Sequence, residues 1–245
     1  MNTADYPQAV RDFIAAYPYK IELHAHTSPV SSCSQLPPAE LIRRLHEQHY
    51  DAVVVTNHFY EGGCYMKTDD PVGMYLDDYR AAKEAGEAFG MTVLLGAEFR
   101  FRENSNDYLV FGVDEAFLRE TVQHFDLTLS EFYERYHAED RLILQAHPFR
   151  NGMVLQPTDH LDGIEAFNMH PNHNSRVAVA SRYAREEDMK LITVGTDLHH
   201  PGHEGVSSLR AKEIPQDSRA LVSLLRSGDY LFEIGGHPLL PYYTF

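Results

Sequence analysis

Two pairs of polar side chains, each two residues apart, stand at opposite ends of the sequence. His24 and His26 follow a short apolar run, and Asp197 and His199 follow another one late in the chain. Residues i and i+2 of a strand project to the same face, so each pair can reach one metal ion. A lone strand histidine is more often a hydrogen-bonded core residue, so either pair alone is a weak signal.

Three further residues of ligand type lie between the two pairs. His58 follows VVVTN, Glu98 follows LLGA, and His147 lies in QAHPFR. The two oxygens of Glu98 can bridge two ions. Imidazole and carboxylate ligands without thiolate suit catalytic zinc, manganese or iron better than a structural zinc site. Two such ions about 3.5–4 Å apart can activate water and stabilise a leaving oxygen.

The elements that must position these residues are strands that alternate with helices. Strands are predicted over residues 21–26, 51–58, 92–101, 107–113, 141–148, 163–168 and 191–199, and helices over 36–50, 74–90, 130–138, 174–190 and 216–227. This alternation predicts an α/β fold with a parallel sheet. The sheet can close into a distorted (β/α)7 TIM-like barrel or stay open and doubly wound.

The positions of the ligand-type residues favour the barrel. Six of them lie at or just past the C-terminal end of a predicted strand: His26, His58, Glu98, His147, Asp197 and His199. That edge carries the active site in α/β barrels. No linker, internal repeat or low-complexity tract divides the chain. We therefore expect the 245 residues to form a single domain, 1–245.

Composition limits the expected partners and location. The chain has 36 acidic and 21 basic residues and a formal charge of −15, which argues against an extended nucleic-acid surface. No run of 18 apolar residues predicts a membrane span, and the first residues lack the pattern of a signal peptide. Two cysteines make no disulfide framework. These features predict a reduced, cytoplasmic protein.

Taken in order, HAHT, TNH, GAEF, AHPFR and GTDLH resemble the motifs of the PHP family of metal-dependent phosphoesterases, named for polymerases and histidinol phosphatase. The resemblance extends from about His24 to His199. It implies a distorted seven-stranded barrel with two or three divalent transition metals. It also implies hydrolysis of a phosphate ester, in which a metal-activated hydroxide attacks phosphorus.

The resemblance also implies the metal ligands. They are His24, His26, His58, Glu98, His147, Asp197 and His199. We expect His24, His26, Glu98 and Asp197 around one ion, Glu98 and His147 at a second, and His58 and His199 at a third. Glu98, Asp197 and His199 are the expected catalytic residues.

The chain departs from the family pattern in three places. SPVSSCSQ, residues 28–35, lacks the aspartate that often follows the first motif, and the usual TDH is TNH. No histidine precedes the strand predicted at 107–113. Asp107 could compensate there, although we favour an ordinary loop acid. Cys33 could serve the third ion, although we favour a buried, inert thiol.

Substrate-binding candidates are fewer. Arg150 could clamp a phosphate in bidentate fashion, and Asn168 and Arg176 are further candidates. His173, His200 and His203 could line the mouth of the site. The expected substrate is a small phosphomonoester, a nucleotide or a short oligonucleotide.

Two other functions stay open at this point. One is an amidohydrolase-like metallohydrolase of C–N bonds, which also opens with an HxH motif. The paired Asp197 and His199 and the bridging Glu98 argue against it. The other is a non-catalytic, metal-binding PHP module, against which the seven retained ligand-type residues argue. The sequence does not define the oligomeric state.

Overall fold

The computed structural model describes residues 6–240; residues 1–5 and 241–245, which the predicted single domain includes, lie outside the described residues. The helices are α1 (Gln8–Ala15), α2 (Pro38–Glu47), α3 (Pro71–Phe89), α4 (Glu115–Thr121), α5 (Leu129–Tyr136), α6 (Val177–Glu186) and α7 (Ser218–Ser227). The strands are β1 (Tyr19–Ala25), β2 (Ala52–Val55), β3 (His58–Phe59), β4 (Thr92–Leu95), β5 (Ala97–Phe99), β6 (Tyr108–Phe111), β7 (Leu142–Gln145), β8 (Gly163–Asn168), β9 (Ile192–Gly195), β10 (Ser207–Ala211), β11 (Leu231–Ile234) and β12 (His237–Leu239).

The strands form two sheets; the larger of two hydrophobic clusters contains residues of both sheets, and a smaller cluster packs α2 and α3 against β2 and β4. One sheet has the order β12-β11-β10-β1-β2-β4, and the other has the order β3-β5-β6-β7-β8-β9. The chain passes directly between the sheets where β2 leads into β3 and where β4 leads into β5. Ala25 of β1 also forms a parallel bridge with Leu198, just after β9. The predicted α/β fold is confirmed, whereas closure of its strands into one barrel stays a prediction.

The expectation of a parallel sheet is wrong for part of the structure. Strand β6 runs antiparallel to both of its neighbours, β5 and β7. Only residues 100–107 connect β5 to β6, and parallel neighbours need a crossover of about a dozen residues or more. Strands β10, β11 and β12, which the sequence analysis did not predict, extend the sheet antiparallel beside β1.

Helix α3 positions the loop that follows β1. Its start is capped by Asp70, which accepts a hydrogen bond from the Gly73 N–H, and its end is closed by Gly90 at φ 66°. On its buried face, Asp78 Oδ2 accepts hydrogen bonds from Thr27 Oγ1 (2.9 Å) and Val30 N (3.1 Å). These bonds tie the helix to the segment after His26.

The strands that carry the site are almost entirely buried. Every residue of β2, β5, β6 and β7 is buried, which fits their runs of branched and aromatic side chains. None of the helices in residues 6–240 combines the length and apolar character needed to cross a bilayer.

Candidate metal centre

Glu98 lies at the centre of the predicted ligand set. Its Oε1 lies 3.2 Å from His24 Nε2 and 3.3 Å from His147 Nε2. Its Oε2 lies 2.7 Å from His58 Nδ1 and 3.5 Å from His26 Nε2. The side chains of Glu98, His24 and His26 have no exposed surface. One carboxylate therefore faces four imidazoles inside the protein.

Asp197 forms the second focus. Its Oδ1 lies 3.5 Å from His24 Nε2, 3.4 Å from His26 Nε2 and 3.2 Å from His199 Nδ1. The rings of His26 and His199 stack with centroids 4.1 Å apart. The structure thus brings all seven predicted ligands into one cluster, in which all but the half-buried His58 are buried.

Three groups within this cluster have ligand atoms within 4.8 Å of one another. They are His24, His26 and Asp197; His26, His58 and His199; and His58, Glu98 and Asp107. The first group belongs to the ligand set predicted for the first ion. The second group contains both ligands predicted for the third ion, and His26 is common to the two groups. The third group brings Asp107 beside Glu98.

Strand geometry delivers these side chains to the same place. Strands β3 and β5 pair in parallel with His58 opposite Glu98. His147 and Asp197 come just after β7 and β9, and their φ angles are 30° and 54°. This left-handed region is uncommon for residues other than glycine, and such strain costs about 1–3 kcal/mol per residue. The positive φ angles at both strand ends indicate that function requires these two side chains to point into the cluster.

Glu165, which the sequence analysis missed, orients two of the ligands. Its Oε1 lies 2.8 Å from His24 Nδ1, and its Oε2 accepts a hydrogen bond from His147 N at 3.2 Å. Metal-binding histidines generally donate their second ring N–H to such a partner, which fixes the tautomer. The available signal was a charged residue inside the short strand GIEAFN.

The carboxylates and imidazoles of the cluster shift one another's pKa values. Burial would lower the pKa of His24, but the carboxylates of Glu165, Asp197 and Glu98 raise it well above the ordinary value. Burial would raise the pKa of Glu98, but His24 and His58 hold it well below the ordinary value. Bound cations would displace such protons, since ligands must be deprotonated.

The residues present fit divalent transition metals. His24 Nε2, His26 Nε2 and Glu98 Oε2 are buried and have no well-formed hydrogen bond to any residue in the described part of the chain. Buried polar atoms almost always have partners, so three orphans that face one another need an explanation. Imidazole and carboxylate donors at such a point match zinc, manganese or iron.

Asp107 lies in the loop ahead of β6, as favoured, but it is buried and faces the site, and its role as a ligand stays a prediction. It is only 4% exposed, and its Oδ2 lies 3.8 Å from His147 Nε2. Both of its oxygens also accept hydrogen bonds from Arg100, at 2.7 and 2.8 Å.

Cys33 lines the cavity beside the cluster and is exposed, so the prediction that its thiol is buried is wrong, while its reactivity stays untested. The local burial of the sulfur would raise the pKa of Cys33, but His199 and His58 lower it to about 6.

A cavity of about 230 Å³ opens onto the cluster. Arg150 lines it, and its Nη2 donates to Asn168 Oδ1 at 2.8 Å and to Asp197 Oδ2 at 2.6 Å. Arg100 lines the same cavity. Asn168 is buried and holds Arg150 in place. Two of the three substrate-binding candidates therefore stand at the site.

Arg176 is the candidate that the structure does not bring to the cavity. It is exposed before α6, and its guanidinium donates to Phe149 O and Asn151 Oδ1. These bonds have a local structural role, so nothing here supports substrate binding by Arg176.

The mouth of the cavity is lined by histidines. His173 and His200 line it, as the sequence analysis expected, and so does His170, which that analysis missed. His170 is 5% exposed, and burial lowers its pKa to about 3. Its position just beyond β8 was the available signal, by the strand-end reasoning that identified His147.

Comparison with known proteins places this site in a family. The model of the PHP domain matches residues 22–235. No curated protein matches the chain.

Solved structures also resemble the chain. A two-domain protein from Bacteroides vulgatus, described as containing a predicted PHP-like metal-dependent phosphoesterase, has a TM-score of 0.59 and 14% identity over 88% of this chain and 64% of that chain. An amidohydrolase from Chromobacterium violaceum has a TM-score of 0.48 and 15% identity over 75% of this chain and 89% of that chain. A candidate metal-dependent phosphoesterase from Bifidobacterium adolescentis has a TM-score of 0.45 and 15% identity over 84% of this chain and 95% of that chain.

The chain therefore spans less than two thirds of the Bacteroides protein, with which it shares a fold. The family match begins within β1 and extends through β11, and all seven predicted metal ligands lie inside it. The chain belongs to the PHP domain family.

Proposed function

We propose that this chain is a metal-dependent hydrolase of phosphate esters, acting on a small phosphorylated substrate at a centre of two or three divalent cations. The observation that carries the proposal is the position of Glu98, whose two buried oxygens lie within 3.5 Å of four imidazoles. Membership of the PHP family and the phosphoesterase description of the Bacteroides relative support the same reaction class.

The side chains divide into three groups of ligands. His24, His26, Glu98 and Asp197 would hold one cation; Glu98, His147 and Asp107 a second; and His58 and His199 a third. Bound there, divalent cations activate water and neutralise the charge that gathers on the phosphoryl oxygens.

The charge balance of the site explains why a phosphate substrate needs these cations. Three carboxylates, of Glu98, Asp107 and Asp197, face two guanidinium groups, of Arg100 and Arg150. When the imidazoles are neutral, as metal binding requires, these five groups carry a net negative charge within a chain of formal charge −15, so by themselves they do not attract a phosphate. Divalent cations reverse that sign locally.

Arg150 is placed to bind the phosphoryl group. Asn168 and Asp197 fix its Nη2, and its side chain is 16% exposed. Its Nε is buried and has no hydrogen-bond partner in the described part of the chain. A guanidinium offers a planar fork of donors that matches phosphate. Arg150 thus orients the substrate above the ligands.

The size of the cavity favours a terminal phosphoryl group. Its volume of about 230 Å³ is below the roughly 300–1,000 Å³ typical of pockets that enclose a whole small molecule. The phosphoryl group would enter, and the rest of the substrate would lie at the mouth beside His173 and His200. This geometry favours a monoester or a chain end over an internal diester.

The proposal is tested by phosphate release from phosphomonoesters, nucleotides and short oligonucleotides, with Mn²⁺ or Zn²⁺ added. We expect release from at least one terminal phosphate, and its loss after chelation. Hydrolysis of N-acyl substrates without any release of phosphate would overturn the proposal in favour of C–N bond cleavage.

A further inference from the structure

The loop between β1 and α2 holds Cys33 in front of two of the histidines. Before it, Ser31 Oγ accepts a hydrogen bond from His58 N at 3.0 Å. After it, Gln35 N donates to His199 O at 2.8 Å. The loop is thus anchored to the same two residues on either side of Cys33, which sets where the thiol stands.

Cys33 lines the cavity together with His58 and His199. The ligand nitrogens of His26, His58 and His199 lie within 4.8 Å of one another.

A second observation at this place is independent of the cysteine. His26 is fully buried, and its Nε2 has no hydrogen-bond partner within residues 6–240. Its ring lies 4.5 Å from that of His58 and 4.1 Å from that of His199, centroid to centroid. An orphaned imidazole nitrogen aimed into a group of histidines is a feature of a cation site.

We propose that the Cys33 thiolate is a ligand of the cation held by His58 and His199. The third position of the centre would then combine one sulfur with imidazole nitrogens, where the other two positions combine carboxylates with imidazoles. On binding, the sulfur–metal bond forms and the thiol proton leaves to solvent. The inference rests on the metal centre of the proposed function, but not on the phosphoesterase reaction.

A sulfur ligand changes which cation this position takes. Thiolate selects softer ions such as zinc, and it is a poor partner for manganese, which favours oxygen. The acid-free loop of residues 28–35 would therefore give this chain its own ion preference. We expect Zn²⁺ or Co²⁺ to fill the third position and Mn²⁺ to leave it weakly filled.

Cobalt spectroscopy tests the ligand directly. Metal-free full-length protein is titrated with Co²⁺, while bound cobalt and near-ultraviolet sulfur-to-cobalt charge-transfer absorption are both recorded. We expect the absorption in the wild-type chain, its loss in Cys33→Ser and its retention in Cys64→Ser. Cys64 is the matched control, since it is the other cysteine of the chain. Its thiol donates a hydrogen bond to Pro29 O at 3.4 Å.

An oxygen ligand provides a further control against misfolding. Cys33→Asp should bind as much cobalt as the wild-type chain and show no sulfur absorption. Absence of the absorption from cobalt-loaded wild-type protein, or its persistence in Cys33→Ser, would overturn the inference.

Thiol labelling gives a readout in the unmodified chain. Iodoacetamide is applied with and without Zn²⁺, and the alkylation of each cysteine is followed by peptide mass spectrometry. Zinc should protect Cys33 and leave Cys64 unaffected. Equal labelling of Cys33 in zinc-loaded and metal-free protein would contradict the assignment. A protein that passes both tests yet releases no phosphate would overturn the proposed function and leave this ligand in place.

Discussion

Glu165 Oε1 lies 2.8 Å from His24 Nδ1, although the two residues are 141 positions apart in the chain. This contact turns the opposite ring nitrogen of His24 toward Glu98 and Asp197, at 3.2 and 3.5 Å. The other oxygen of Glu165 accepts a hydrogen bond from His147 N. One buried carboxylate on β8 thus orients the imidazole of His24 in β1 and holds the backbone of His147 after β7.

Replacing Glu165 by Gln should weaken cation binding without removing a ligand. Loss of such a partner typically costs about 10–100-fold in metal affinity or activity, because the histidine loses its preferred tautomer and basicity. Competition with a chromophoric chelator measures the affinity. Glu186→Gln, an exposed glutamate on α6, is the matched control. Equal affinity of the two variants would contradict the role of Glu165.

Glu98→Gln should have a larger effect. The variant loses the negative charge of the carboxylate that faces His24, His58 and His147. The cations that Glu98 would share should therefore bind less tightly. We expect lower metal stoichiometry and an affinity loss beyond the roughly 10–100-fold of the Glu165 variant. Elemental analysis after dialysis measures the stoichiometry, with exposed Glu84→Gln on α3 as the control. Wild-type metal content in Glu98→Gln would exclude a bridging carboxylate.

Arg150→Ala should raise KM more than it lowers kcat. A hydrogen bond to a charged group contributes about 1.5–3 kcal/mol, which corresponds to roughly 10–100-fold in KM. Lysine keeps the charge but lacks the planar fork of donors, so KM of Arg150→Lys should lie between that of the wild-type chain and that of Arg150→Ala. Steady-state kinetics at saturating metal measure both constants.

The control for this prediction is Arg176→Ala. Arg176 is exposed and bonds to Phe149 O and Asn151 Oδ1, away from the cavity. Its removal should leave KM unchanged. An equal rise of KM in both variants would show that the effect of Arg150 is not specific to the site.

Asp78→Ala should destabilise the chain and loosen the loop that carries Cys33. The substitution leaves the Thr27 hydroxyl and the Val30 N–H without their acceptor, at a cost of about 1–3 kcal/mol for each buried group. Urea unfolding measures the change in free energy. Asp77→Ala, one position earlier and exposed, is the control. If the two variants unfold alike, Asp78 does not anchor the loop.

The sequence predicted the parts of the site that follow local rules. Period-two spacing linked His24 with His26 and Asp197 with His199, and the strand-end rule added His58, Glu98 and His147. The structure brings these residues together, and their role as ligands stays a prediction. The end of α3 at Gly90 was also predictable, because a glycine just past a helix is a local signal, whereas α3 begins at Pro71, before the predicted start at residue 74.

The remainder depended on contacts that no local rule describes. The antiparallel direction of β6 follows from a short connection, and the addition of β10 beside β1 pairs residues from opposite ends of the chain. Glu165 looked like any strand residue until its contact with His24 was known. The position of Cys33 beside the site was not predictable, because its loop is held by bonds to His58 and His199, which are distant in sequence.

The most direct test of the account compares metal content and phosphate release in the wild-type chain and in Asp197→Asn. Asparagine tolerates the left-handed backbone of this position, φ 54°, so the variant should keep the fold, as circular dichroism can verify. We predict that the wild-type chain binds more than one equivalent of Mn²⁺ or Zn²⁺ and releases phosphate. Asp197→Asn should bind less metal and release little. Wild-type protein that binds no transition metal, or that releases phosphate equally well after chelation, would contradict the central claim.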